Sequence, residues 1–173
     1  MKQEIKFNAD ETLLPLITRW QNWLLRERAY SAHTLDAYSR DLAIFLHSLS
    51  PHKKLSLADL SAFEVRDFRR FLSLRAAKYI NNSSLGRELS TIKSFYKWLA
   101  VNEIAENAAI SVISAPRKAK ILPKALDEDA SFDLLNTSEK MAHNKWQGLR
   151  DKAILTLLYG CGLRISEALA LNI

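Results

Sequence analysis

Residues 84–101 read SLGRELSTIKSFYKWLAV, and this stretch decides the predicted fold. Its apolar residues recur every three or four positions, the spacing that places side chains on one side of an α-helix. That apolar set is Leu85, Leu89, Ile92, Phe95, Tyr96 and Leu99. The opposite side carries cationic and hydroxyl residues, and the one acid of the stretch, Glu88, lies on the flank. We therefore predict an amphipathic helix with one buried side and one basic, polar side.

Two amphipathic helices are predicted near the start of the chain. The first tolerates Pro15 in its first turn, where a missing N–H costs nothing. The second is capped by Ser31 and stops before Pro51. Aromatic residues at helical spacing are predicted to be core rather than base-stacking platforms. They are Trp20, Trp23, Phe68, Phe71, Phe95, Tyr96 and Trp98.

A third helix is predicted between these two and the quoted stretch. Ser61 is expected to cap it, with Glu64 three residues later completing a capping box, and residues 51–60 are expected to be a loop. Together with the quoted stretch this gives four helices joined by short loops. The predicted fold is all-α, a compact four-helix bundle.

Composition sets limits on the class of protein. The chain has 173 residues, 48% of them apolar, so it can bury a core, and global disorder is excluded. Its one cysteine, Cys161, excludes a disulfide framework and a thiolate metal cage, and the histidines show no metal spacing, so no metal site is expected. Because no signal peptide or apolar run of membrane length is present, we expect a soluble cytoplasmic protein without a membrane partner.

Charge and hydrophobic periodicity divide the chain into three parts. Residues 1–116, the bundle, carry 16 basic and 12 acidic residues. Residues 117–126 have weak periodicity and four cations without an acid, and we predict a basic linker there. Residues 127–173 carry five basic and seven acidic residues and begin a second helical unit. The positive excess lies in the bundle and the linker.

The basic side of the quoted helix is the candidate binding surface. A helix side with cations and hydroxyls and no carboxylate can face phosphates and base edges in a DNA major groove. The candidate DNA-binding residues are Ser84, Arg87, Ser90, Lys93, Ser94 and Lys97 on this helix, Arg40 on the second helix, and Arg117, Lys118, Lys120 and Lys124 in the linker. A solvated basic surface without a ligand explains the same pattern equally well.

Other charged residues are interpreted as structural. The third helix carries Arg66, Arg69, Arg70 and Arg75, but Glu64 and Asp67 are interspersed, so local ion pairs are expected there. In the last segment, residues 153–159 are apolar on nearly all sides, and that helix is expected to be enclosed by other structure. Cys161 is expected to be a small buried residue. Arg164 and Glu167 are spaced for an ordinary ion pair in apolar surroundings.

These residues resemble the tyrosine site-specific recombinases, and among them the bacterial Xer recombinases. RDKAIL at 150–155 and LYGCGLRISEAL at 158–169 closely resemble the opening of that family's catalytic domain, and the fairly specific part is GLRISE at 162–167. Upstream matches to its core-binding domain and linker are YSAHT at 30–34, YSRDL at 38–42, LS at 89–90, FYKWL at 95–99 and LPKAL at 122–126.

The resemblance implies a SAM-like core-binding bundle, a linker, and the first helices of a catalytic domain. In such enzymes a tyrosine attacks a phosphodiester and forms a 3′-phosphotyrosyl link, with no nucleotide or metal cofactor. By resemblance Arg164 is the first catalytic arginine and Glu167 its acidic partner. The nucleophilic tyrosine and the other catalytic residues have no counterpart up to residue 173, so we expect an incomplete catalytic domain that does not cut DNA.

Several functions stay open at this point. The resemblance implies a double-stranded DNA recombination site as ligand, a second recombinase subunit as partner, and a role in chromosome dimer resolution or DNA integration. The fragment itself is expected to be monomeric. A non-catalytic helical adaptor that binds a protein partner, or a natural truncated regulator that occupies recombination sites, would share the same features.

Overall fold

The computed structural model describes residues 5–116 and 126–171. The helices within these residues are α1 (Leu14–Arg26), α2 (Ala32–Leu49), α3 (Leu57–Ala62), α4 (Val65–Ala76), α5 (Asn82–Val101), α6 (Glu128–Met141), α7 (Lys145–Gly160) and α8 (Ile165–Leu169). A short 3-10 helix, Ala108–Ile110, follows α5. The predicted all-α class is confirmed. In the two described ranges, no helix combines the length and the apolar character that a membrane crossing requires.

The chain divides into two compact units, Met1–Lys120 and Ile121–Ile173. Helices α1 to α5 belong to the first unit, and α6 to α8 belong to the second. The predicted linker, residues 117–126, lies outside the described residues except for Leu126.

Side-chain caps explain where several helices begin. The Ser31 hydroxyl accepts a hydrogen bond from the Thr34 N–H at 3.2 Å, which starts α2 where the sequence predicts. The Asn81 side chain accepts from the Ser84 N–H at 2.7 Å and starts α5. Asp127 caps α6 in the same way, at 2.8 Å. These starts are local features, and the sequence predicts them within about two residues.

The predicted start of the third helix is wrong, because residues 51–60 are not all loop. Ser56 caps α3, and the Asp59 carboxylate accepts from the Ser56 N–H at 2.8 Å, which completes a capping box. Ser61 therefore lies inside α3, and Glu64 is the N-cap of α4. Two capping patterns follow one another here, at residues 56–59 and 61–64, and the upstream one forms an additional helix that includes Ser61. The described part of the first unit holds five helices rather than four.

Helix α5 lies at the centre of the core of the first unit. The Phe95 ring meets Trp20 of α1 edge-on, with centroids 5.2 Å apart. The Tyr96 ring meets Phe68 of α4 at 5.6 Å, and its hydroxyl donates to a backbone carbonyl of α3 at 3.0 Å. The aromatic residues predicted to be core are buried, except Trp23, which is half-buried. Helices α1, α3 and α4 are thus held around α5.

The second unit is built from α6 packed on α7, with α8 following. The Phe132 and Tyr159 rings meet at 6.4 Å between α6 and α7. Among the described residues, α6 and α8 cover only part of the circumference of α7, and Gly148 is the one buried residue of that helix, so the enclosure that its apolar sequence favours is not formed there. Leu149 remains exposed. Cys161, predicted to be buried, is exposed for the same reason.

The capping box of α3 makes stability depend on pH. The Asp59 carboxylate accepts hydrogen bonds from the Ser56 backbone and hydroxyl and from Lys53, and these bonds lower the pKa of Asp59 from 3.8 to about 2. A carboxyl with a lowered pKa in the folded state stabilises the fold above its unfolded pKa. That contribution is lost as the pH falls from about 4 to about 2.

Replacing Asp59 with Ala is expected to lower the free energy of unfolding by about 1 kcal/mol at neutral pH, since it removes a helix cap. The difference from the unsubstituted chain should shrink toward zero as the pH falls from about 4 to about 2. Urea unfolding followed by circular dichroism at several pH values measures it. Glu11→Ala, at an exposed position, is the control. A difference that does not change with pH would contradict this account.

Candidate DNA-binding surface

One side of α5 forms a continuous solvent-facing row of polar side chains. Residues 83, 87, 90, 94 and 97 follow one another at spacings of three and four, so they lie above one another on the helix surface. Ser94 is half-buried and the others are exposed. Lys93 lies beside the row and is half-buried. We call Ser83, Arg87, Ser90, Lys93, Ser94 and Lys97 the α5 stripe.

The stripe differs from the predicted set at its first turn. Ser84 lies about 100° around the helix from Ser83, since consecutive residues are turned by that angle. It is half-buried, and its N–H is bonded to the Asn81 side chain that caps the helix. Ser83, which the sequence interpretation missed, is exposed and has the same spacing to Arg87 as the other members. That spacing was a signal available in the sequence.

The two lysines supply the uncompensated charge of the stripe. Neither Lys93 nor Lys97 forms an ion pair with a carboxylate anywhere in the described parts of the chain. The Ser90 hydroxyl donates to the Gly86 carbonyl at 2.8 Å, so its proton is already engaged. Donation to a ligand therefore falls mainly to the lysines and to Arg87.

Arg87 is anchored to a buried acid on α2. Its Nη1 donates to Asp41 Oδ2 at 2.5 Å, and the two side chains are 46% and 3% exposed. The buried Thr91 hydroxyl donates to the same oxygen at 3.1 Å. Burial raises the pKa of Asp41, and the opposing effects of Arg87 and Thr91 are smaller. Arg87 thus joins the stripe to the α2–α5 interface.

The acid on the flank of α5 is also buried. Glu88 is 2% exposed and receives two bonds from Arg75 of α4, at 2.9 Å and 2.6 Å. This hydrogen bonding raises the pKa of Arg75. The local ion pairs expected along α4 are thus wrong for Arg75, which pairs across helices, while Arg66 does contact Glu64 at 3.3 Å. The positive charge of Arg75 therefore compensates the negative charge of Glu88, and Glu88 adds no net negative charge beside the stripe.

Arg40 of α2 is held by its own helix. Its Nη2 donates to Asp36 Oδ2 at 2.7 Å, an exposed pair one helical turn apart. A pair of this kind is worth little in stability and exchanges readily with another anion. The role of Arg40 in binding DNA stays a prediction.

Beside the stripe lies a cleft of about 330 Å³ that sequence patterns did not reveal. Ser90, Ser94 and Lys97 form one wall of the cleft, while Tyr30 and Tyr38 form part of another. The two tyrosine rings meet edge-on at 5.6 Å. Burial, followed by the contact with Tyr30, raises the pKa of Tyr38, so its hydroxyl stays protonated. Tertiary packing alone brings these rings to α5, and no sequence spacing could indicate it.

The linker cations Arg117, Lys118, Lys120 and Lys124, predicted to follow a phosphate backbone, lie outside the described residues.

The candidate catalytic pair lies at the start of α8. Arg164 Nη1 donates to Glu167 Oε1 at 3.0 Å, and the Arg164 N–H donates to Glu167 Oε2 at 2.8 Å. Glu167 thus satisfies a free N–H at the helix start, as in a capping box. The expected apolar surroundings are wrong in the described structure, because the Arg164 side chain is 83% exposed. The guanidinium is held at one edge and open to solvent.

Comparison with known proteins gives consistent matches. The sequence profile of the family "Phage integrase, N-terminal SAM-like domain" matches residues 17–103, within the first unit. A tyrosine recombinase XerC from Rhodospirillum centenum is 40% identical over 158 residues, covering 90% of this chain and 46% of that protein. A tyrosine recombinase XerC from Rickettsia prowazekii is 37% identical over 165 residues, covering 94% of this chain and 54% of that protein. No solved structure matches significantly.

The extent of these matches defines what they establish. The chain spans about half the length of the curated relatives it matches. The family profile covers half of the chain and includes α2 and α5, which carry the candidate surface. The chain therefore belongs to the phage integrase family, the family of tyrosine recombinases that its motifs resemble, and carries the N-terminal SAM-like domain of that family.

Proposed function

We propose that this chain binds duplex DNA through the α5 stripe, as the DNA-binding part of a site-specific tyrosine recombinase. One observation carries the proposal. Glu88, which lies on α5, and Asp41, which contacts α5, are both buried and paired with arginines, while Lys93 and Lys97 form no ion pair among the described residues. A polyanion approaching α5 therefore meets positive charge without an opposing acid.

The geometry of α5 suits a duplex. An α-helix fits the major groove of B-DNA, where base edges are accessible. The stripe spans residues 83–97, about 20 Å at 1.5 Å per residue, and so can extend along the groove. Lysines neutralise phosphates irrespective of sequence, whereas groups facing the groove floor can contact bases. The cleft lined by Tyr30 and Tyr38 adds hydroxyl groups beside Lys97.

The remaining assignments belong to the same proposal. Residues 1–116 form the core-binding domain, 117–126 a basic linker whose four cations add phosphate contacts, and 127–173 the start of a catalytic domain. The ligand is a double-stranded recombination site in the cytoplasm, and a second recombinase subunit occupies its other half. The relatives are named tyrosine recombinases, and chromosome dimer resolution or DNA integration is the role proposed for the parent protein. The chain alone is proposed to be monomeric.

Arg164 and Glu167 are proposed as a catalytic arginine and its partner acid. A phosphate under attack gathers negative charge on its non-bridging oxygens, and a guanidinium stabilises that charge most when its orientation is already fixed. Glu167 holds one edge of Arg164 at 3.0 Å and leaves the remaining N–H groups free to approach a phosphate. This pair therefore supplies electrostatic stabilisation and needs a nucleophile from elsewhere.

Binding should depend steeply on salt. With four or five phosphates neutralised, the logarithm of the association constant is expected to fall with the logarithm of salt concentration at a slope of about −4. Lys93→Glu combined with Lys97→Glu should lower affinity by about tenfold or more and make the slope shallower by about 2. Fluorescence anisotropy with a labelled mixed-sequence duplex measures both quantities.

The matched control reverses two charges elsewhere. Lys54 and Lys78 are exposed and belong to neither α2 nor α5, so Lys54→Glu with Lys78→Glu changes net charge equally without touching the stripe. This variant should keep most of the affinity. Equal losses in both double variants would mean that net charge alone drives binding, and absence of binding by the unsubstituted chain would refute DNA binding itself.

The chain alone is expected to bind DNA without cleaving it, because none of its tyrosines stands at the place of the family's nucleophile. A labelled nicked duplex incubated with the chain should migrate as free DNA after denaturation in detergent. A covalent protein–DNA band that disappears on protease treatment would contradict this expectation and place a nucleophile within these residues.

A further inference from the structure

The ion pair between Arg87 and Asp41 differs from the pair between Arg75 and Glu88 in the exposure of its arginine. Glu88 and Arg75 are both largely buried, at 2% and 13% exposure, so a ligand at the surface has little access to either side chain. Asp41 is equally buried, but the Arg87 side chain is 46% exposed and belongs to the α5 stripe. Only the second pair connects a fixed interior acid with a group that a ligand can reach.

Stability does not explain why a carboxylate occupies position 41. Removing a carboxylate from water is costly, and a buried ion pair is often no more stabilising than apolar side chains of the same size. Burial raises the pKa of Asp41 despite Arg87 and Thr91, so the protein holds this charge against an unfavourable environment. A residue kept under that condition is a candidate for a role in positioning.

The pair fixes the direction of the guanidinium. The Asp41 carboxylate accepts a hydrogen bond from Nη1 of Arg87, and it also accepts one from the Thr91 hydroxyl at 3.1 Å. The Nε and Nη2 atoms of Arg87 have no acceptor among the residues that the structure describes. A planar fork anchored at one corner presents its free N–H groups in a set direction, unlike the flexible ammonium groups of Lys93 and Lys97.

A fixed fork is suited to a planar pair of acceptors such as a base edge. Guanine presents two acceptors, N7 and O6, side by side in the major groove, and arginine contacts both at once. Such a contact requires alignment, whereas a phosphate accepts hydrogen bonds from many directions. The stripe therefore combines one oriented group with two lysines whose charge acts without orientation.

We propose that Asp41 is a positioning residue that aligns Arg87 with a guanine edge in the major groove, so that this pair sets sequence preference while the lysines set overall affinity. The inference rests on the proposed DNA-binding function and deepens it. Asp41 itself does not touch DNA, and it acts through Arg87.

The test compares specific with non-specific binding. The unsubstituted chain is used to select duplexes from a library with a randomised central window, and the selected duplex is compared with poly(dA-dT), which offers no guanine N7 and O6 pair. Asp41→Asn keeps the shape of the side chain and removes its charge. It should reduce the preference for the selected duplex about tenfold, the loss being confined to one G·C pair, with affinity for poly(dA-dT) and the salt slope unchanged.

Two further variants separate positioning from loosening of the fold. Arg87→Lys keeps the charge at a half-exposed site and should lose the same preference, and Asp41→Asn should then have no additional effect. Glu88→Gln weakens the neighbouring buried pair and should lower the urea midpoint without changing the preference. Equal loss of preference in Glu88→Gln, or independent losses from Asp41→Asn and Arg87→Lys, would overturn the proposal.

The outcome for the unsubstituted chain separates the two levels of inference. Salt-dependent binding without enrichment of any sequence would overturn the role of Asp41 and leave the proposed DNA binding standing. No binding to any duplex would refute both.

Discussion

The first unit depends on the burial of α5 on more than its apolar side. Glu88 and Thr91 are buried together with the aromatic and aliphatic residues of that helix. A buried polar group needs a hydrogen-bond partner, because leaving it unpaired costs more free energy than a typical hydrogen bond contributes to stability. Those partners come from α4, through Arg75, and from α2, through Asp41. Apolar contact brings the helices together, and these polar contacts fix their register.

The same burial shapes the electrostatics of the surface. Asp41 and Glu88 would weaken any attraction to an anion if they were exposed and unpaired beside the stripe, since exposed charges act over about 8 Å at physiological salt. Each is instead covered and matched by an arginine. What the α5 stripe presents to solvent is therefore hydroxyl groups, one anchored guanidinium and two uncompensated lysines. Packing in the interior and charge at the surface are two consequences of one arrangement.

Local patterns were predictable, and contacts between helices were not. The cap at Ser31 and the start of the second helical unit at residue 127 follow from a few neighbouring residues, and the sequence predicts both. The predicted start at Ser61 was wrong because the Ser56 box lies directly upstream, and the helix that it caps extends through Ser61. The pairing of Arg75 with Glu88 spans 13 residues and two helices, beyond the reach of a periodicity argument.

The candidate site divides in the same way. The cationic stripe was visible in the sequence, because one helix carries all of it and helical spacing decides membership. The cleft with Tyr30 and Tyr38, and the anchoring of Arg87 by an acid 46 residues away, depend on how α2 packs against α5. The exposure of Cys161 was missed for the opposite reason, since apolar neighbours in sequence do not guarantee neighbours in space.

Two arginine–carboxylate pairs with different exposure illustrate why geometry decides function. Arg164 and Glu167 lie at the start of one short helix, where the pair adds little stability and the guanidinium, although held at one edge by Glu167, remains 83% exposed and hydrated. Arg87 has already lost part of its hydration and much of its freedom to Asp41. An approaching base edge therefore has less ordering to impose on Arg87 than on Arg164, and less free energy is lost on binding. The buried Asp41 thus fixes the orientation of the Arg87 guanidinium at the surface. The residue type of Arg87 alone does not indicate that orientation.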